Sequence, residues 1–175
     1  MRNVRFETSF HVREVGQPAV VAAITEVLRK AGLDAVTSSR DPARQVFIRD
    51  WHGWTSFGEI AHRGEAIAWG KRLSRALHAP VLEVLSDATS SELRAHVEGR
   101  LASSVAVLAT VEELVVDPAL LAPFGVKKKL KVRLPFNPFF GTGDKGAAVD
   151  AIGAALALAQ PVLAGRIKGL VLGFE

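Results

Sequence analysis

Three clusters in this chain hold residue types able to do chemistry. The first is Arg49-Asp50-Trp51-His52-Gly53-Trp54, with Glu59, His62 and Glu65 downstream. A carboxylate and two imidazoles brought together would serve as an acid–base pair or a metal site, so Asp50, His52 and His62 are the catalytic candidates. The spacing matches no defined metal motif and HExxH is absent, so no metal is expected. A Trp-rich hairpin end that packs its rings, with His52 at a turn, accounts for the same residues without catalysis.

The second cluster is Gly141-Thr142-Gly143-Asp144-Lys145-Gly146, a literal GxGxxG at the start of an Ala-rich helical stretch. Glycines let backbone N–H groups approach a phosphate, and a helix N-terminus favours its charge. Gly141, Gly143, Lys145 and Gly146 are therefore the phosphate-binding candidates. Two features oppose them: Pro135 and Pro138 separate the loop from the preceding strand, and Asp144 would repel a phosphate. No acid occupies positions 162–170, where a dinucleotide site would place its ribose contact. No cofactor is expected. Residues 143–149 are similar to the lysine-bearing motif of haloacid-dehalogenase-type phosphatases, but the Asp-x-Asp nucleophile motif of those enzymes is absent from the chain.

The third cluster is Lys127-Lys128-Lys129-Leu130-Lys131-Val132-Arg133-Leu134. In a strand Leu130, Val132 and Leu134 face one way and Lys129, Lys131 and Arg133 the other. Lys127, Lys128, Lys129, Lys131 and Arg133 are candidates for binding an anionic partner. Three readings stand side by side: lysines that blunt a sheet edge against aggregation, an acidic protein or lipid partner, and nucleic acid. The strand itself has no stacking aromatic, although Phe136, Phe139 and Phe140 follow it.

The charge balance sharpens this. The 175 residues carry 22 Lys plus Arg against 18 Asp plus Glu, a formal net charge of +4. Residues 1–125 hold 14 basic and 15 acidic residues, a net of −1, and residues 126–175 hold 8 and 3, a net of +5. The basicity belongs to one segment. Zero Cys excludes disulfides, thiolate catalysis and Cys-containing zinc sites, and zero Tyr removes phenolic chemistry. Neither a GxSxG elbow nor a Walker A motif is present.

The elements that must position these clusters follow from periodicity and turn chemistry. Val4 to Val12 alternates apolar and polar residues, as in a strand with one buried and one wet face. Pro18 opens a helix whose stripe is Val20, Ile24, Val27, Leu28 and Ala31, closed by Gly32. Strands are expected over 46–48 and 54–60 with a turn at 51–53, a helix over 65–77, and a strand over 81–85. Residues 89–101 fit either a helix or a hairpin turning at Glu98-Gly99, and the hairpin is favoured because Gly99 mid-helix is costly. Thr110 and Glu113 have capping-box spacing for a short helix before Pro118, with a connector over 120–125. A strand over 126–134, a helix over 146–163 and a strand over 167–174 complete the chain. The expected fold is α+β, with a mixed or largely antiparallel sheet and helices packed on one face as a two-layer sandwich. A single domain is expected over 1–175, with a division near 117–125 between an α/β body and a basic C-terminal extension. His11, His78 and His96 are expected at the surface. No secretory signal or transmembrane segment is expected, which points to a cytoplasmic protein.

Residues 54–99 resemble an uncharacterised family of small bacterial α/β proteins. The likeness is carried by Trp54 and Thr55, by Trp69-Gly70-Lys71-Arg72-Leu73-Ser74-Arg75-Ala76-Leu77, by Val81-Leu82-Glu83-Val84 and Asp87, and by Gly99. These are packing residues, and the family has no established activity, so the resemblance implies the hairpin and no chemistry. The expected function is binding rather than catalysis: an interaction or regulatory module, of the kind that neutralises a toxin or senses a partner, with a protein partner or a second copy. The alternatives are a small nucleotide- or phosphometabolite-binding enzyme using residues 141–146, and nucleic-acid binding through residues 127–133.

Overall fold

The structure, a computed structural model, describes residues 8–37, 41–86, 90–108, 113–127, 129–133, 155–156 and 169–175. Its centre is an eight-stranded sheet in which every pairing is antiparallel. The strands are β1 (Thr8–Arg13), β2 (Ala35–Val36), β3 (Arg44–Trp51), β4 (Trp54–Ala61), β5 (Val81–Ser86), β6 (Ser90–Val97), β7 (Arg100–Leu108) and β10 (Leu170–Phe174). Their order is β2-β10-β3-β4-β1-β5-β6-β7. A separate ribbon pairs β8 (Glu113–Val116) with β9 (Leu130–Arg133). The helices are α1 (Gln17–Lys30), α2 (Trp69–Ala76) and α3 (Pro118–Leu121), the last running into a 3₁₀ turn over Ala122–Phe124. An antiparallel sheet with helices makes the α+β class firm.

Local chemistry explains the hairpins. His52-Gly53 and Glu98-Gly99 each put two consecutive residues at positive φ (47° and 80°, 50° and 78°). That is the two-residue loop whose twist matches antiparallel strands, and glycine supplies its second position without strain. The hairpin reading of residues 89–101 is therefore correct over its described part, from Ser90 onward. In α1, Pro18 lies in the first turn and Arg29 and Lys30 in the last, where cations suit the helix dipole. The closing strand β10 lies between β2 and β3, and Asp34 and Glu175 exchange backbone hydrogen bonds of 2.7 and 3.0 Å beside it.

Each face of the sheet carries a buried apolar cluster. On one, Phe10, Val12, Val46, Ile48, Phe57, Val81 and Phe174 pack with Val20, Ile24, Val27 and Leu28 of α1 and Trp69 and Leu73 of α2. On the other, Trp54, Leu82, Val84, Leu93 and Ala95 pack with Val116, Leu120, Leu121, Phe124 and Leu156. Helices on one face only is thus right for α1 and α2 and corrected by α3. The cause is the strand pattern: Leu82 and Val84 point opposite to Val81, so β5 needs an apolar cover on each side. For the same reason β1 has no wet face, and Ser9 and His11 are 1 % and 0 % exposed. His96 is buried as well, and only His78 of the three expected surface histidines is exposed.

Two further corrections concern residues 113–125. Glu113–Val116 is a strand, not a helix; the β-branched pair Val115-Val116 outweighs the capping-box spacing. The helix begins at Pro118, where Asp117 accepts the Ala119 N–H at 2.8 Å, so the expected connector over 120–125 is helical at its start. The expected helix over 146–163 lies outside the described residues apart from 155–156. No helix among the described residues is long and apolar enough to cross a membrane.

Helix α2 begins at Trp69, later than the expected residue 65, and lies close on the sheet because residue 70 has no side chain. A Cβ on Gly70 would meet the buried His96 ring, with Cγ at 2.8 Å and two other ring atoms closer. That ring cannot step aside, since His96 Nε2 is hydrogen-bonded to Glu83 Oε2 at 2.6 Å. Gly70→Ala should therefore destabilise the protein by about 2–3 kcal/mol, although alanine gains roughly 1 kcal/mol as a helix former. Urea unfolding measures the balance, and a neutral or stabilising result would contradict this packing.

Candidate functional site

The β3–β4 hairpin places Asp50 and His52 at one end and His62 at the other. Trp51 pairs with Trp54 next to the turn, whereas Ala61 pairs with Arg44 seven residues along. At about 3.4 Å per residue His62 is roughly 25 Å from His52, so the three candidates do not converge. Asp50 Oδ1 and the Val15 carbonyl each lie 2.6 Å from Thr55 Oγ1, which ties the hairpin end to the start of α1. His52 is exposed, with its ring edge-on to Trp51 at 4.7 Å. A depression of about 530 Å³ runs beside them, lined by Glu14, Gly16, Asp50, His52, Trp54 and Thr55 among others. Asp50 and His52 thus share a surface, but Asp50 is committed to Thr55. Among the described residues no group of three His, Asp or Glu side chains is arranged to hold a metal ion.

A different constellation of catalytic residue types lies under the second face of the sheet. His11 Nε2 is 2.9 Å from Ser9 Oγ and His11 Nδ1 is 2.6 Å from Ser56 Oγ. Alternation along β1 puts Ser9 and His11 on one face, and the β1–β4 register sets Ser56 opposite His11. Hydroxyl and imidazole at these distances are the parts of an activated nucleophile. Burial removes that role. It pushes the imidazole down to about 3, because the charged form loses its hydration. A base that weak takes no proton from a serine at neutral pH. The trio is a buried polar network in which the ring nitrogens are satisfied and the strand pairing is pinned.

The strand expected over 126–134 is, among the described residues, only β9, Leu130–Arg133, so Lys131 and Arg133 lie in the β8–β9 ribbon and Lys127 and Lys129 in the segment before it. Val115 pairs with Lys131 and Val116 with Leu130, and Leu130 packs against the core that includes Val116. Lys127, Lys129 and Lys131 are exposed. Strand alternation puts Lys131 on the side opposite Leu130, as the sequence pattern requires. Arg133 is the last residue of β9, paired with Glu113 in register. Lys128 lies outside the described residues, as does the whole loop with Gly141, Gly143, Lys145 and Gly146.

A fourth feature was not singled out from the sequence. Lys71, Arg72 and Arg75 of α2 line a cleft together with Lys30 of α1. Their spacing of i, i+1 and i+4 on a helix with buried Trp69, Gly70, Leu73 and Ser74 was the available signal, since it places the three cations away from the core. What it lacked was the partner helix, because nothing local in residues 65–77 shows that α1 lies alongside.

Compared with protein-family models, curated proteins and solved structures, this chain has no match. The resemblance over residues 54–99 rests on its packing residues alone.

Proposed function

We propose that this chain is a binding module that engages an acidic protein partner through its cationic ribbon and does not itself catalyse a reaction. The observation that supports the reading is the exposure of Lys127 and Lys129 on the segment leading into β9 and of Lys131 within it, in a ribbon that pairs separately from the main sheet. Lysines close together along a short segment present a concentrated positive potential, which steers and orients an acidic surface. The near-neutral remainder of the chain gives that potential directional contrast. Lys127→Glu/Lys129→Glu/Lys131→Glu, titrated with poly-glutamate at low salt, should bind at least about ten-fold more weakly than the native chain. Equal binding of the two proteins would refute the proposal.

A further inference from the structure

We propose that the cleft between α1 and α2 is a second, independent site, which binds a small ligand carrying two adjacent phosphate groups. Its volume of about 450 Å³ falls within the range of small-molecule sites, roughly 300–1,000 Å³. Four cations line it, Lys30, Lys71, Arg72 and Arg75, against the single carboxylate of Glu26. That carboxylate is already engaged, 3.0 Å from Arg29 Nη2 and 3.2 Å from Lys30 Nζ. The hydrogen bonds from Arg29 and Lys30 hold it below the usual carboxylate range, so it stays ionised and paired. Lys71, Arg72 and Arg75, in contrast, form no ion pair with any described acid. Like charges gathered on one wall without counter-charges repel each other, and an anion in the cleft relieves that repulsion.

The wall is held in place rather than draped over the surface. Ser74, buried on α2, accepts the Gly99 N–H at 2.9 Å and fixes the β6–β7 turn to the helix. Arg75 lies directly against that turn: a Cβ on Gly99 would stand 2.8 Å from its Nε and 3.1 Å from its Nη2. Glycine at 99 therefore serves both the positive φ of the turn and the seat of the guanidinium. Ala68 and Ala76 are too short to fill the space, so the cleft stays open.

The chemistry of the lining selects the ligand. Among the described residues no aromatic ring lines the cleft, so the described lining gives a base nothing to stack on and recognition falls to phosphate. Side chains three and four apart on a helix have Cβ atoms about 5–6 Å apart, which spreads Lys71, Arg72 and Arg75 over more than one phosphate. Two joined phosphates engage the whole wall, with the arginines bonding oxygens in pairs and the lysines acting as point charges.

Calorimetric titration of the full chain at about 50 mM salt, with pyrophosphate, ADP and orthophosphate, tests this. Pyrophosphate and ADP should bind with similar affinity, each at least about ten-fold tighter than orthophosphate. Arg72→Glu/Arg75→Glu should weaken pyrophosphate at least about ten-fold, and Lys127→Glu/Lys129→Glu should leave it within about two-fold. Lys71→Glu, on the same exposed wall, provides the reading if the double variant does not fold, with an expected loss of about five-fold. Pyrophosphate binding that survives both groove variants, that is lost with the ribbon lysines, or that equals orthophosphate would overturn the assignment. So would ADP binding far tighter than pyrophosphate, which would require a nucleoside contact that this lining does not offer. The ribbon lysines enter this readout only as its control and poly-glutamate does not enter it, so the two proposals fail separately.

Discussion

Glu59→Gln is expected to destabilise the protein by about 3–5 kcal/mol, because it leaves a buried guanidinium without its counter-charge. Arg44 is 2 % exposed and Glu59 12 %, and Arg44 Nη1 donates to Glu59 Oε1 at 2.7 Å. The other carboxylate oxygen accepts the Trp69 indole N–H at 2.7 Å, and Arg44 Nη2 donates to the Glu65 carbonyl. The Arg44–Glu59 pair thus links β3 and β4 to the segment that follows β4, through Arg44, and to the first residue of α2, through Glu59. Arg44 Nε is buried without a partner, so the charge has little to fall back on once Glu59 is neutral.

Removing the whole pair should cost less than the two halves removed separately and added together. Arg44→Met should lose several kcal/mol, roughly 3–5 by the same reasoning, since a buried carboxylate is then left with the indole alone. In Arg44→Met/Glu59→Gln the loss should be smaller than the sum of the single losses by at least about 2 kcal/mol. Urea unfolding of the native protein, the two single variants and the double variant measures that coupling. Additive losses under about 1 kcal/mol each would mean that the pair is solvated and does not clamp the helix. The clamp also bears on the cleft: Trp69 opens the helix that carries Lys71, Arg72 and Arg75, so loosening it moves the cationic wall.

What could be seen in the sequence was mostly local. Pro18, Gly32, His52-Gly53 and Glu98-Gly99 are turn and cap signals whose physics lies within a few residues, and the elements they bound were legible. The two-sided burial of the sheet was not. Ser9 and His11 are polar and alternate with apolar neighbours, which reads as a wet face; their burial depends on the adjacent strands being apolar on that same face, at Leu82, Val84 and Leu93, and covered from residues 116–124. The capping-box spacing of Thr110 and Glu113 competed with Val115-Val116 and with Asp117-Pro118, a stronger helix start a few residues later. The cationic segment was legible because its lysines are consecutive or nearly so, and alternation within β9 separates Lys131 from Leu130, although the strand itself is shorter than the pattern suggests. Asp50, His52 and His62 are close in sequence but are set apart by an antiparallel hairpin, which carries its two strand ends away from its turn. The α1–α2 cleft needed a tertiary contact, and no spacing rule within either helix encodes one.

Acid should destabilise this protein well above the pH at which its carboxylates protonate, and His11 is the cause. In the unfolded chain the imidazole has its ordinary value of 6.5, and in the native core burial lowers it to about 3. At neutral pH both states hold it uncharged, so it costs nothing. As pH falls through 6.5 the unfolded chain takes up a proton that the native protein refuses, and stability drops by about 1.4 kcal/mol per pH unit until pH approaches 3. By pH 5 the loss is about 2 kcal/mol. Glu26 and Glu92 are held low by Arg29 and Lys30 and by Arg94 respectively, and they act in the same direction, but only below their ordinary value of 4.5. The interval from pH 6.5 to 5 therefore isolates the histidine from these two carboxylates. His11→Asn keeps a polar side chain between Ser9 and Ser56; it should be less stable at pH 7, but its stability should fall by about 2 kcal/mol less than that of the native protein between pH 7 and 5. The His11 ring resonances of the native protein should not move over that range. A ring titrating near 6.5, or equal pH slopes for the two proteins, would show that protons reach this imidazole in the folded state and that the Ser9–His11–Ser56 network is open rather than buried.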